Sequence, residues 1–342
     1  MDESNNIPPI NLASRDPFRE YWEAKVLEEI KTHTYLDPLY DVAFKIFLGD
    51  ESALISFLNG VFRLKAENRI TGVSIKNSEI NIGFPKPKEF RFDIRASTAD
   101  GRNINIEMQK AKPGHFAERV LLQHSAFLLQ SKYEWDQSFG DLPPNPTEKE
   151  RASRDNRRYE IPPTYAIWIC DFKVKHQDGY FGTWAFRNDK GLTVTDKVMY
   201  IMYDLTQFTK TYEEIETDEE RWLYLLKHAG KADSLPDFGD PVIAKAIERL
   251  LVKNVSEKSL KEQASDMVMT EEELDYLAAL KVKARSEGHA EGLEEGRSEG
   301  RSEERREMAA NMLADGDSVE KVVRISKLTE TEVLAIKASH EH

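Results

Sequence analysis

Arg91-Phe92-Asp93-Ile94-Arg95-Ala96 and Asn103-Ile104-Asn105-Ile106-Glu107-Met108-Gln109 alternate apolar and polar residues with period two, the pattern of two half-buried strands. Ser97-Thr98-Ala99-Asp100-Gly101-Arg102 separates them, and its Asp-Gly is a strong hairpin signal. Phe92, Ile94 and Ala96 share one face of the first strand; Ile104, Ile106 and Met108 share one face of the second. With those faces turned to a core, Asp93, Glu107 and Gln109 converge on the other side. Two adjacent carboxylates repel unless a cation lies between them. Oxygen donors of this kind suit Mg²⁺ or Mn²⁺.

Asp93 followed by Glu107-Met108-Gln109 resembles the Asp…Glu-x-Lys signature of the PD-(D/E)XK nuclease superfamily, with Gln109 where Lys is usual. The ordered series is similar to that of one branch, the PD-(D/E)XK nuclease-family transposases, also called recombination-promoting nucleases. The series comprises Asp41-Val-Ala-Phe-Lys45-Ile-Phe47 with Phe57-Leu58-Asn59, then Ile106-Glu107-Met108-Gln109, then Phe116-Ala-Glu-Arg119. It runs from about residue 35 to 230, and Gln in place of Lys is characteristic of the branch. The resemblance implies an α/β fold: a restriction-endonuclease-like core with a mixed central sheet flanked by helices, plus an all-α C-terminal extension. It implies a Mg²⁺-dependent (or Mn²⁺-dependent) DNA endonuclease linked to recombination or mobile elements. Asp93 and Glu107 would hold the metal, with the Met108 carbonyl as a further ligand, and Gln109 would orient a water. Asp41 matches an acidic residue that faces the metal site, and Lys45, Arg119 and Gln123 are candidates to contact DNA. Gln123 departs from the aromatic expected at its position.

Read without the resemblance, these residues admit plainer roles. Asp41 and Lys45 are one helical turn apart and suit a surface ion pair. Arg119 and Gln123, at i and i+4, suit the outer face of a helix whose buried stripe is Phe116, Val120, Leu121, Ala126, Phe127 and Leu128. Asp93 and Glu107 suit a solvated sheet face. A non-catalytic nucleic-acid-binding or assembly protein that keeps the nuclease fold is the rival class.

Composition narrows the field. At 342 residues the chain accommodates one good core and a smaller appendage. No apolar run approaches the ~20 residues needed to cross a bilayer. The first residues lack the basic and apolar blocks of a signal peptide, so a cytoplasmic protein without membrane contact is expected. A single cysteine, Cys170, excludes an intramolecular disulfide and a multi-cysteine zinc site. A net charge of −13 runs against the basic footprint usual for DNA binding.

Outward from the hairpin, residues 1–30 read as a loose arm and a short helix from Pro17. The nuclease-like domain is expected over 31–232, its first strand over Ile70–Ile82 and a loop at Phe84-Pro85-Lys86-Pro87-Lys88. Residues 138–163 read as a loop insertion, either solvated or touching nucleic acid through the basic run Lys149–Arg158. Further strands are expected at 165–170, 184–186 and 198–203, and a helix over 211–228. Residues 233–304 read as a helical region, with a capping box at Thr270-Glu-Glu-Glu273 and a Glu-Gly repeat that suits either a flexible stalk or a self-associating one, the latter giving a homo-oligomer through the C-terminal helices. The tail at 305–342 is similar to helix-turn-helix-like tails of this family and other transposases; its last helix is poor in base-reading residues.

Overall fold

The computed structural model describes residues 17–80 and 90–340, with backbone alone at 17, 18, 271–299 and 340. The arm at 1–16, the Phe84–Lys88 loop and the far C-terminus therefore lie outside the described residues. Two compact units divide the chain between Glu273 and Leu274.

The first unit opens with α1 (Pro17–Thr32), α2 (Asp41–Leu48) and α3 (Glu51–Val61). Strands β1 (Val73–Ile75), β2 (Glu79–Ile80), β3 (Phe90–Arg91), β4 (Ile94–Thr98) and β5 (Asn103–Gln109) follow, then α4 (Phe116–Gln137) and α5 (Glu148–Arg157). After these come β6 (Thr164–Cys170), β7 (Phe181–Ala185), β8 (Val198–Asp204), α6 (Asp218–His228) and α7 (Pro241–Leu250). Helix α8 spans Glu257–Ala314, beyond which lie α9 (Val319–Ser326) and α10 (Glu330–His340).

Six strands form one mixed sheet in the order β1-β4-β5-β6-β8-β7. The β4–β5 hairpin is antiparallel, with Ile94 opposite Ile106, and Gly101 at φ 88° makes its turn, a conformation that favours glycine. Strand β5 runs parallel to β6, and β6 to β8. One sheet face buries Ile94, Ile106, Ile167, Ile169 and Tyr203 against Phe44 and Phe47 of α2, Phe57 of α3 and Trp222 of α6. The other buries Ala166, Trp168 and Cys170 against Val120 of α4. The mixed sheet flanked by helices, with helices at the C-terminus, is the expected architecture.

The first motif stretch is mostly structural. Phe47 and Phe57 meet the Trp222 ring edge to face. Asn59 clamps the main chain at Ile70, accepting its N–H at 2.8 Å and donating to its C=O at 3.0 Å. The start of α3–α6 contact needs Gly60, where a Cβ would stand 2.7 Å from the Glu219 nitrogen.

Five local expectations are corrected. Residues 91–96 are not one strand: β3 pairs with β2 in a separate two-stranded sheet, and the chain bends at Asp93 before β4. Phe92 goes with Ile80, Phe90 and Phe127 into a core distinct from that of Ile94 and Ala96. Within Ile70–Ile80 only β1 and β2 are extended. The loop at 138–163 contains α5, opened by a reciprocal Thr147–Glu150 capping box. Thr270 opens no helix; it lies inside α8 and donates to the Asp266 carbonyl. Finally, Leu121 is 56% exposed, whereas Gln123, His124 and Ser131 of α4 are buried.

The second unit has its own small core of Ala309, Val322, Leu328 and Val333. Ser318 caps α9 through the Lys321 N–H, and Lys327 ends it in the left-handed region.

Candidate active site

Asp93 stands at the bend just ahead of β4, and continuing the β4–β5 register brings it opposite Glu107. In an extended strand the N–H and C=O of one residue face the same neighbour. At Met108 that neighbour is no longer a strand, because the chain has turned away at Asp93. Asp93 Oδ2 takes the place of a main-chain acceptor and receives the Met108 N–H at 2.7 Å. The Met108 carbonyl accepts the Gln109 side-chain amide at 3.0 Å.

Glu107 is 1% exposed, and its Oε1 has no hydrogen-bond partner among the described residues. Burial, then the neighbouring Asp93 charge, push its carboxyl well above the usual range, with the nearby Asn105 amide and then Arg119 pulling the other way. Asp93 is raised to about 7 by burial and the charge of Asp41, opposed by the Met108 N–H and by Lys45. Asp41, Lys45, Asp93, Glu107 and Arg119, scattered over two helices and a hairpin, therefore act on one another at one end of the sheet.

Helix α2 is anchored by residues distant in sequence. Tyr40 at its N-cap offers no side-chain acceptor; Asp266 and Gln263 of α8 accept the N–H groups of Asp41 (2.8 Å) and Ala43 (3.1 Å) instead. At the other end Arg249 donates to the carbonyls of Ile46 and Phe47. Lys45 Nζ lies 2.7 and 2.8 Å from the two Asp41 oxygens, so Asp41 forms the ion pair while its charge also acts on Asp93. Beyond Gln109, Lys110 pairs with Asp37 at 3.1 Å and lies 3.7 Å above the Tyr40 ring, pinning the end of β5 to the segment before α2.

Gln123 faces the sheet, not solvent, with its Nε2 3.5 Å from the Arg91 carbonyl; Arg119, one turn earlier, is exposed. The layer beneath α4 is unusually polar. Arg95 Nε, both Asn105 amide atoms, Gln123 Oε1, His124 Nδ1, Ser131 Oγ and Trp168 Nε1 are buried there without hydrogen-bond partners among the described residues. Asp266, Gln263, Lys110 and Asn105 were not singled out by sequence reasoning. Only Asn105 carried a signal, being two residues before Glu107 on the same strand face.

A family model described as PD-(D/E)XK nuclease family transposase matches residues 38–142 and 146–280. The chain belongs to that family. The match covers the whole hairpin, α2, α4 and the part of α8 that caps α2. No curated protein matches the chain, and no solved structure does. Membership supports nuclease chemistry and DNA as the substrate. No described helix is long and apolar enough to cross a membrane.

PD-(D/E)XK nucleases typically use a divalent cation, which oxygen donors such as carboxylates hold. Among the described residues no group of three or more His, Cys, Asp or Glu side chains could hold a metal ion. Two carboxylates suffice for a Mg²⁺-like ion, which keeps several waters and takes one or two protein carboxylates. Asp93 and Glu107 meet that requirement: their charges repel, and Glu107 Oε1 is buried without a hydrogen-bond partner among the described residues.

Proposed function

We propose that this protein hydrolyses DNA phosphodiester bonds with a divalent cation, Mg²⁺ or Mn²⁺, held by Asp93 and Glu107, in recombination or the movement of mobile elements, in the cytoplasm. The observation that carries the reading is the buried, unpartnered Oε1 of Glu107 beside a second carboxylate that is raised to about 7. Such a pair is costly to ionise alone and ready to accept a cation. A bound cation would neutralise both carboxylates, polarise a phosphate oxygen and acidify a water.

The remaining roles fall to the chain itself. The Met108 N–H fixes the Asp93 carboxylate, and the Met108 carbonyl, which accepts the Gln109 amide, would be a further ligand for a bound metal. Arg119, exposed at the start of α4, and Lys45 on α2 supply positive charge for the phosphate backbone. Gln109 orients the attacking water by hydrogen bonding. Its amide cannot take a proton at neutral pH, so proton removal is left to solvent and the reaction is slow.

The test is nicking of supercoiled plasmid with Mg²⁺ or Mn²⁺, comparing the wild type with Asp93→Asn and Glu107→Gln. Metal-dependent nicking lost in both variants is expected. No nicking by any of the three overturns the catalytic reading in favour of a binding or assembly protein on a nuclease fold, a reading supported by the amide of Gln109 where a base would stand.

A further inference from the structure

The C-terminal end of α4 and helix α5 enclose a cavity of about 810 Å³ that the proposed chemistry does not use. Its lining includes Lys132, Lys149, Arg154, Arg157 and Arg158, together with Asp136, Asp141, Glu150 and Asp155. Two of those carboxylates are already engaged. Asp136 is held by Lys132 at 2.5 and 2.6 Å, and Glu150 accepts from the Thr147 N–H and hydroxyl that begin α5. Residues Arg151–Arg158 carry four guanidinium groups against the single carboxylate of Asp155, in a chain whose net charge is −13. Arg151, Arg154 and Arg158 are exposed, at i, i+3 and i+7 on one side of the helix.

Aromatic rings are interleaved with these cations. The Arg157 guanidinium lies 4.2 Å from the Phe139 ring centre, and that of Arg158 lies 5.5 Å from Tyr159. Lys132 sits 5.3 Å from the Trp135 ring, which meets Phe139 edge to face at 4.8 Å. Tyr159 is 85% exposed, Tyr133 60% and Phe139 47%. The helix dipole accounts for cations at the C-terminal end of α5. It does not account for two large rings, Phe139 and Tyr159, left in water beside them.

We propose that this surface binds single-stranded nucleic acid, with Arg151, Arg154 and Arg158 following the phosphates and Tyr159 and Phe139 stacking on unpaired bases. Cationic grooves with exposed rings are the physical basis of strand binding without sequence preference. A duplex keeps its bases stacked on one another and gives these rings nothing to cover. From Arg119 to the end of α4 the helix rise spans about 30 Å. The surface thus grips a strand well away from the phosphate that is cut, as an opened or tailed substrate would present it. The inference rests on the nucleic-acid reading of the site but not on its catalysis.

The test uses the full chain carrying Glu107→Gln, without divalent metal. Fluorescence anisotropy is read with a labelled 30-nucleotide oligo-dT and with a labelled 30-base-pair duplex. Tyr159→Ala should weaken oligo-dT binding by about tenfold, the range of one lost base–ring stack. Arg154→Glu with Arg158→Glu should weaken it further and flatten its salt dependence. Duplex binding should stay within about twofold for Tyr159→Ala, whereas the charge reversal weakens binding of both ligands. Because Tyr159 is exposed, its removal should leave the melting temperature unchanged, which separates lost binding from lost folding. Oligo-dT affinity insensitive to Tyr159→Ala, absence of oligo-dT binding, or an equal loss for the duplex in Tyr159→Ala would each overturn the proposal. Plasmid nicking with flat anisotropy sinks this surface alone; strand binding at α5 without nicking sinks the nuclease alone.

Discussion

Asp266 of α8 accepts the main-chain hydrogen of Asp41 at 2.8 Å, across 225 positions of sequence. A carboxylate from another helix thus does the work of the missing N-cap of α2, and it sets where Asp41 stands relative to Asp93. Asp266→Ala should cost about 1 kcal/mol of stability, the worth of an N-cap. It should also slow nicking by more than the lost folded fraction, while Asp266→Asn keeps most of both. Chemical denaturation and nicking rates on the same samples check this. A wild-type rate in the alanine variant would show that Asp41 needs no steering.

On the proposed mechanism, Gln109 is the point where proton chemistry is weakest. A lysine there, held neutral by its surroundings, accepts a proton that an amide cannot. Gln109→Lys should raise the nicking rate about tenfold at pH 7 and much less at pH 9, where hydroxide competes. Rates across pH 6–9 decide it, and an unchanged rate at pH 7 would remove Gln109 from the proton account.

The two carboxylates make the metal-free protein sensitive to alkali. Asp93 rises from 3.8 to about 7 and Glu107 also rises, burial being the first cause in each. A carboxyl raised by folding contributes its stability below the unfolded pKa, near 4, and loses it as pH climbs through the folded value. The melting temperature without metal should therefore fall from pH 5 to 8.5. Asp93→Asn combined with Glu107→Gln should flatten that fall, and Mg²⁺ or Mn²⁺ should restore the wild type at pH 8.5. Identical slopes in both proteins would refute the coupling.

His124 gives the opposite limb. Its ring is buried, with Nε2 3.0 Å from Thr164 Oγ1, and burial lowers it from 6.5 to about 4. A histidine depressed by folding contributes stability above the unfolded pKa and loses it as pH falls through the folded one. The loss between pH 6.5 and 4 amounts to about 3 kcal/mol. Urea melts of the wild type and His124→Phe at pH 7 and 4.5 should show the variant losing less on acidification.

The paired carboxylates were legible because an Asp-Gly turn fixes hairpin register, and register alone brings 93 opposite 107. The bend at Asp93 was not legible. Phe92 keeps the alternation of Ile94 and Ala96 while serving a different core, and spacing does not say which core an apolar residue joins. On α4 the choice of Leu121 over Gln123 and His124 followed hydrophobicity, whereas the buried stripe runs through Phe116, Val120, Gln123, His124, Phe127 and Ser131. For α5 the Thr147-x-x-Glu150 signal was present but hidden by the prolines ahead of it. The caps on α2 from Asp266 and Gln263 are tertiary, and nothing in local sequence announces them.

That polar seam beneath α4 also says how the protein would respond to selection for heat resistance. A buried polar atom left unsatisfied forfeits about 1–3 kcal/mol, so exchanging Asn105, Gln123, His124 or Ser131 for apolar residues of similar size is the readiest route to a hardier fold. Such gains would accumulate next to Glu107 and dry out its surroundings. Laboratory evolution for thermotolerance should drift toward rugged, silent variants, and hits clustering at those four positions would trace the outline of the active centre.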